Sequence, residues 1–306
     1  MNRRPDGHTR PVTFDPDAVD LPALDRAHRA ALHRQRPDEL PVVGYGEISL
    51  AFAWPPVAPT VVAKSLPPLA DRARLRAYEA LLEEYLEVLA ARGVAVLPTA
   101  VRAVADGAQQ RAYVLQPWMA PDRIGSRTLA AADPERGGAL LREVVANVLR
   151  ASDDRVGIDG QVSNWAVVEG RLHYLDVSTP MLRDADGRDR LDTGPFAASV
   201  PWVLRRPVER FVAPALLAPY HDPRRVLLDT AGNLLRERLA RWLPPLLEHA
   251  NPHLEVPLTV PEVRRFYRGN ARAWSALQAL RRADRAWQRH VRRRPYGFLL
   301  APAYRR

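Results

Sequence analysis

Five side chains of this 306-residue chain carry the groups needed to handle a nucleoside triphosphate: Lys64, Glu79, Asp159, Asn164 and Asp176. Phosphoryl transfer asks a protein for positioning and charge rather than covalent chemistry. A cation must hold the α- and β-phosphates, and a carboxylate must hold that cation. An amide and a carboxylate must hold magnesium, and a further carboxylate must orient the incoming hydroxyl. Lys64 is singled out by composition, because it is the only lysine among 45 basic residues and arginine serves everywhere else. A lone ammonium kept against that bias points to a place where a compact point charge, beside phosphate or a buried carboxylate, does what a planar guanidinium does not.

These residues must be positioned by the elements around them. The β-branched run Thr60-Val61-Val62-Ala63 predicts a strand ending on Lys64. Upstream, Val42 and Val43, then Gly44-Tyr45-Gly46, then Ile48, Leu50 and Phe52 read as strand, glycine turn and strand. Leu75, Tyr78, Leu82, Tyr85, Leu86 and Leu89 recur at helical spacing, so a helix is expected over Asp71 to Ala91, ended by Gly93. On that helix Glu79 borders the apolar face and Glu83 points further toward solvent, so Glu79 is the expected partner of Lys64; an ordinary exposed carboxylate is the alternative for either.

Short strands are expected around Val94–Leu97 and Arg111–Leu115, with Asp106-Gly107 as a turn signal nearby, and a helix over about Glu135 to Arg150. Between them Gln116 to Pro121 breaks the pattern and reads as a linker. Farther on, Trp165–Val168 and Arg171–Leu175 predict two strands joined by the tight turn Glu169-Gly170. Folding that hairpin brings Asp159 and Asn164, just before it, to Asp176 at its end. The remainder is expected to be mostly helical, over Pro223 to Trp242 and Pro261 to Arg294.

The order and spacing of these residues resemble the protein-kinase-like superfamily, on the branch of the aminoglycoside and choline phosphotransferases. Val61-Val62-Ala63-Lys64 resembles the V-A-I-K strand, Asp159-Gly160-Gln161-Val162-Ser163-Asn164 the catalytic loop D-x-x-x-x-N, and Leu175-Asp176-Val177-Ser178 the metal-binding aspartate motif. The resemblance covers about residues 41–195, and the tail is similar to an uncharacterised bacterial kinase-like group. It implies ATP and Mg²⁺ as cofactors, with Lys64 on the α/β-phosphates and Glu79 on Lys64. Asn164 and Asp176 would hold the metal, and Asp159 would act as the catalytic carboxylate. Gly44 and Gly46 match two positions of the nucleotide loop, with Ser49 where a third glycine would stand. Pro117, Trp118 and Met119 fall at the hinge whose backbone would meet adenine. The chain departs from the pattern at Gly157, where the family carries histidine, and at Gln161, where it carries lysine or histidine. No A-P-E-like segment follows Asp176.

Composition excludes other chemistries. With no cysteine there is no disulfide, thiolate metal site or cysteine nucleophile, and eight scattered histidines do not suggest a transition-metal centre. No apolar run is long enough for a membrane helix and no apolar leader segment follows the charged start, so the cytoplasm is the expected compartment. The formal charge of +10 is concentrated late in the chain. From His221 onward roughly 18 arginines face about seven carboxylates. Arg264, Arg265, Arg268, Arg272, Arg281, Arg282, Arg285 and Arg289 share one predicted helix with Phe266, Tyr267, Trp274 and Trp287. Aromatics at that spacing favour an amphipathic helix packed on a core over a nucleic-acid surface. Asp184, Asp186, Asp189 and Asp192 read as a solvated loop, with a cationic acceptor as the alternative.

The expected fold is α+β and bilobal, of protein-kinase-like type: an extension over 1–40, a small antiparallel-sheet lobe with one helix over 41–116, a hinge at 117–121, and a mainly helical lobe over 122–306 with a basic C-terminal region. The expected activity is transfer of the ATP γ-phosphoryl group to a hydroxyl of a small molecule or peptide. The rival is a catalytically inactive kinase-like binding protein that uses the basic C-terminal surface.

Overall fold

A computed structural model of the chain describes residues 14–45, 49–192, 194, 217–293, 296 and 299. Its N-terminal part is an antiparallel sheet of five strands: β1 (Val42–Tyr45), β2 (Leu50–Trp54), β3 (Val61–Ser65), β4 (Ala100–Asp106) and β5 (Gln109–Pro117). Their order is β1-β2-β3-β5-β4, so β3 lies at the centre with Lys64 opposite Ala51 on one side and Val114 on the other.

A sheet with two apolar faces needs two covers. Helix α1 (Leu21–Arg34) packs Leu24 and Ala31 with Phe52, Ala63, Tyr113 and Leu115. Helix α2 (Arg72–Ala91), N-capped by Asp71, packs Tyr78, Leu82, Tyr85 and Leu89 in the core that includes Val114. Each of these large side chains, taken fully from water, contributes about 1.5–3 kcal/mol. The part of the N-terminal segment that is described is therefore a working layer of the sheet. It even brings a buried ion pair, Asp25 of α1 with Arg111 of β5, at 2.7 and 2.8 Å.

One expected strand is displaced. Residues 94–97 do not join the five-stranded sheet, whose β4 begins at Ala100. Val94 and Leu97 are buried, and this stretch runs beside a later hairpin, with Tyr174 N–H donating to Ala95 C=O at 2.8 Å. Its Val and Leu content signals burial, whereas β4 is built of Ala, Val and Arg with little alternation to reveal it. The Asp106-Gly107 turn joins β4 to β5, with Gly107 at φ +62°.

The C-terminal region is mainly helical. After α3 (Gly125–Ala131), helix α4 (Pro134–Ala151) forms its axis, with Leu141, Val144, Val145 and Val148 buried along one stripe. Next come the hairpin β6 (Trp165–Val168) and β7 (Arg171–Tyr174), then α5 (Pro223–Arg236), α6 (Leu243–Ala250) and α7 (Val260–Ala286). The helix expected over 223–242 is broken at Arg238, which takes φ +62° before a short 3₁₀ turn delivers Trp242 against Gly137. Helix α7 is capped by Thr259, and Arg264, Arg265 and Arg268 are exposed along it while Val263 is buried. It passes into a π turn; of its expected inward aromatics Phe266 and Tyr267 are half-buried, with the Phe266 ring beside Gly232, Trp287 is 48% exposed, and the Trp274 side chain lies outside the described residues. Among the described residues no helix is long and apolar enough to cross a membrane.

Candidate functional site

The site is built at the mouth of the β6–β7 hairpin. Glu169 and Gly170 take φ +51° and +77°, two successive left-handed residues that match the twist of a two-residue turn. Trp165 then faces Tyr174, and Leu175 N–H donates to Asn164 C=O at 2.9 Å, closing the open end. Asn164 and Asp176 leave this end from opposite strands. Asp159 is held beside them, because Asn164 Nδ2 donates to its carbonyl at 3.4 Å and its own N–H donates to the Tyr174 hydroxyl at 3.1 Å.

Helix α2 fastens the loops on either side. Tyr78 donates to Ser178 C=O at 2.9 Å and Tyr85 donates to Gly157 C=O at 2.8 Å. Burial, then the nearby negative charge of Asp176, pushes both phenols far above their ordinary range, so they remain donors. Two glycines permit the close approach of this loop. A Cβ on Gly160 would come within 2.6 Å of Val148 and 2.8 Å of Thr230. One on Gly157 would meet Met181 at 2.9 Å and the His221 ring at 3.1 Å. The imidazole of buried His221 thus fills, from another segment, the space beside position 157.

The electrostatics are crowded. Lys64 Nζ forms an ion pair with Asp176 Oδ1, with both side chains about a quarter exposed, at 21% and 25%. Asp159 is buried, and among the described residues no cation forms an ion pair with it. Burial, followed by the charges of Asp176 and Asp229, pushes its carboxyl up to about 8. Its Oδ1 accepts from Gln161 N–H at 3.1 Å. Gln161 then bridges to α5: its Nε2 donates to Asp229 Oδ2 at 2.7 Å, and its Oε1 accepts from Asn233 at 3.3 Å and from Arg236.

The fold therefore gathers Lys64, Asp159, Asn164 and Asp176, from segments up to 112 residues apart. The other expected residues stand differently. Glu79 is half-buried on α2 and outside the Lys64–Asp176 pair, while Glu83 is exposed. Gly46 lies outside the described residues. Gly44 sits in β1, and a Cβ there would meet only Ala51, at an ordinary 3.8 Å. Pro117 pairs with Val61 at the end of β5, Trp118 N–H donates to Thr60 C=O at 2.9 Å, and Met119 packs with Leu97 and Ala166.

The donors at the mouth suit a hard cation. Magnesium takes oxygen ligands, commonly one or two from protein with the rest from water and phosphate, and Asp176 with the amide oxygen of Asn164 offers that set. Burial comes first among the causes that raise the Asp159 carboxyl, and such an ion would offset the second, the charge of Asp176. Among the described residues no three His, Asp or Glu side chains gather as a metal cluster. His249 and His253 have helical ligand spacing, but α6 ends between them, at Ala250. They line a hollow with Arg142 and Glu248 that none of the chemistry-bearing residues reaches. Of the aspartates after Asp176, Asp189 pairs with Arg183 and Asp186 with Arg188 within their own loop, Asp192 pairs with Arg74 of α2, and Asp184 accepts from the N–H groups of Asp186 and Arg188.

Three site residues escape a reading by motif, namely Asp229, Asn233 and Arg236. Their i, i+4, i+7 spacing marks one face of α5, the signal available in the sequence, but a polar helix face ordinarily meets water. An α+β chain with a five-stranded antiparallel sheet, a mainly helical C-terminal region and a carboxylate-rich hairpin mouth facing a lysine defines the class. The chain belongs to a family of unknown function, DUF6206, whose sequence pattern matches residues 23–285, from α1 into α7. No curated protein matches it.

Proposed function

We propose that the chain is an ATP- and magnesium-dependent phosphotransferase of protein-kinase-like architecture, moving the γ-phosphoryl group to a hydroxyl of a small molecule or peptide. The observation that carries this reading is the meeting of Lys64, from the central strand, with Asp176 at the hairpin mouth beside Asp159 and Asn164. In this reading Lys64 turns from Asp176 to the α/β-phosphates, and Glu79 on the adjoining helix is its carboxylate partner. Asn164 and Asp176 hold magnesium, which supplies charge neutralisation at the phosphates. Asp159 orients the acceptor hydroxyl and takes its proton, with magnesium beside it offsetting the repulsion from Asp176 that, after burial, holds its own carboxyl protonated. Catalysis rests on positioning and electrostatics.

A second reading is a non-catalytic kinase-like binding protein. It is favoured by the self-contained Lys64–Asp176 pair and by the exposed Arg264, Arg265 and Arg268 on α7. Thermal unfolding with and without MgATP separates the two. Ligand at 100 times its Kd stabilises the native state by about 2.7 kcal/mol. A magnesium-dependent rise in Tm that shrinks in Lys64→Ala and Asp176→Ala, with turnover lost in Asp159→Ala, supports the enzyme. No shift at millimolar MgATP in the folded protein overturns it.

A further inference from the structure

We propose that Arg236 is the cation that meets the transferring phosphoryl group and that Gln161 positions it; this rests on the phosphotransferase reading above. Asp159 adjoins two sets of groups. One runs through Asn164, which donates to its carbonyl, to Asp176 and Lys64; the other runs through Gln161, which donates to its Oδ1, to the polar face of α5. Lys64 is the cation of the first set. A phosphoryl group arriving at a hydroxyl held by Asp159 also meets the second set, whose cation among the described residues is Arg236.

The network fixes how that guanidinium is presented. Gln161 Nε2 donates to Asp229, so its Oε1 is turned to Asn233 and Arg236. The reversed amide would set NH₂ against two donors and an oxygen against a carboxylate, so the orientation follows from the partners. Arg236 is exposed, and its contact with the loop is to a neutral oxygen rather than to a carboxylate. Its charge is therefore available to an anion. A planar guanidinium matches the spread charge of a phosphoryl group in flight, and one such arginine is worth about 10³–10⁵ in rate in enzymes that use it. In the step itself the bond from the γ-phosphorus to the β-phosphate oxygen breaks as the bond to the acceptor oxygen forms. The acceptor proton passes to Asp159, and MgADP departs.

The test is titration calorimetry with two probes, MgADP and MgADP plus aluminium fluoride, a mimic of the transferring group that needs no acceptor. Arg236→Gln, at an exposed position, is expected to keep the MgADP Kd within about twofold and to weaken the aluminium fluoride complex by about 100-fold. Arg236→Lys should recover part of that loss. Gln161→Leu, which leaves the arginine in place but unaimed, should lose about tenfold on the second probe alone. If Arg236→Gln equals wild type on both probes, or weakens both equally, the inference falls while the phosphotransferase reading stands. A wild type that binds neither probe overturns both.

Discussion

Lys64, on the central strand of the sheet, and Asp176, beyond the second strand of the hairpin, form an ion pair that joins the two halves of the site. The pair is three-quarters buried, so it lies between exposed pairs worth little and buried pairs whose disruption costs several kcal/mol. The two partners are not equivalent. Without Lys64, Asp176 is left beside Asp159 with its charge uncompensated. Without Asp176, one source of repulsion on Asp159 is gone. Lys64→Met should therefore destabilise by about 1–2 kcal/mol, and Asp176→Asn by clearly less. Urea midpoints at pH 7, with the double variant closing the cycle, check the asymmetry.

The raised carboxyl of Asp159 makes stability depend on pH with a definite sign. Its ordinary value is 3.8 and its folded value about 8, so between these the native state holds a proton that the unfolded chain has released. Stability therefore falls as pH rises through that window, and the whole penalty is present above about 8. Asp159→Asn carries no such charge. It should match wild type near pH 4 and exceed it by several kcal/mol at pH 8, read from urea unfolding at each pH.

How much of this was legible depended on whether a signal was local. The hairpin turn was readable because Glu169-Gly170 between apolar strands admits few other conformations, and α2 because its apolar period runs unbroken from Leu75 to Leu89. The strand misplaced at 94–97 shows the limit of such signals, since Val94 and Leu97 report burial and not which neighbour they pair with. Helical phase could rank Glu79 above Glu83 but could not show that Lys64 would rest on Asp176. The polar face of α5 was illegible for a similar reason. Only the fold brings Gln161, 68 residues earlier, against Asp229.

The buried pair under α1 gives a prediction independent of the site. Asp25 is 3% exposed and takes two hydrogen bonds from Arg111 and one from Tyr113. Burial alone would raise its carboxyl, but these bonds and the arginine charge outweigh it and leave it below 3.8. A depressed carboxyl contributes stability above its unfolded value and loses it as pH falls through the folded one. Asp25→Ala should cost about 2 kcal/mol at pH 7, because it removes two charge-assisted hydrogen bonds from a largely buried guanidinium and leaves it the half-exposed Asp106 as its ion-pair partner. The gap from wild type should narrow below pH 4 in the same unfolding assay.

Two glycines test which backbone positions the site depends on. Gly160 follows Asp159, and a Cβ there would press on Val148 of α4 at 2.6 Å and on Thr230 and Val226 of α5 at 2.8 and 2.9 Å. These are packed side chains on two helices, so neither wall yields cheaply, and overpacking of this kind costs about 1–3 kcal/mol. Relief must come from the loop itself, which moves Asp159 and Gln161 away from α5. Gly160→Ala should therefore lower Tm and also abolish the MgATP-dependent shift. Gly44 lies in β1, with its nearest contact an ordinary 3.8 Å from Ala51, so Gly44→Ala meets no steric barrier and should change stability by less than about 1 kcal/mol. If Gly44→Ala nevertheless removes the MgATP shift while Tm without ligand is unchanged, the nucleotide needs a bare backbone at the first strand. If the shift survives, phosphate binding rests on Lys64 and the hairpin mouth.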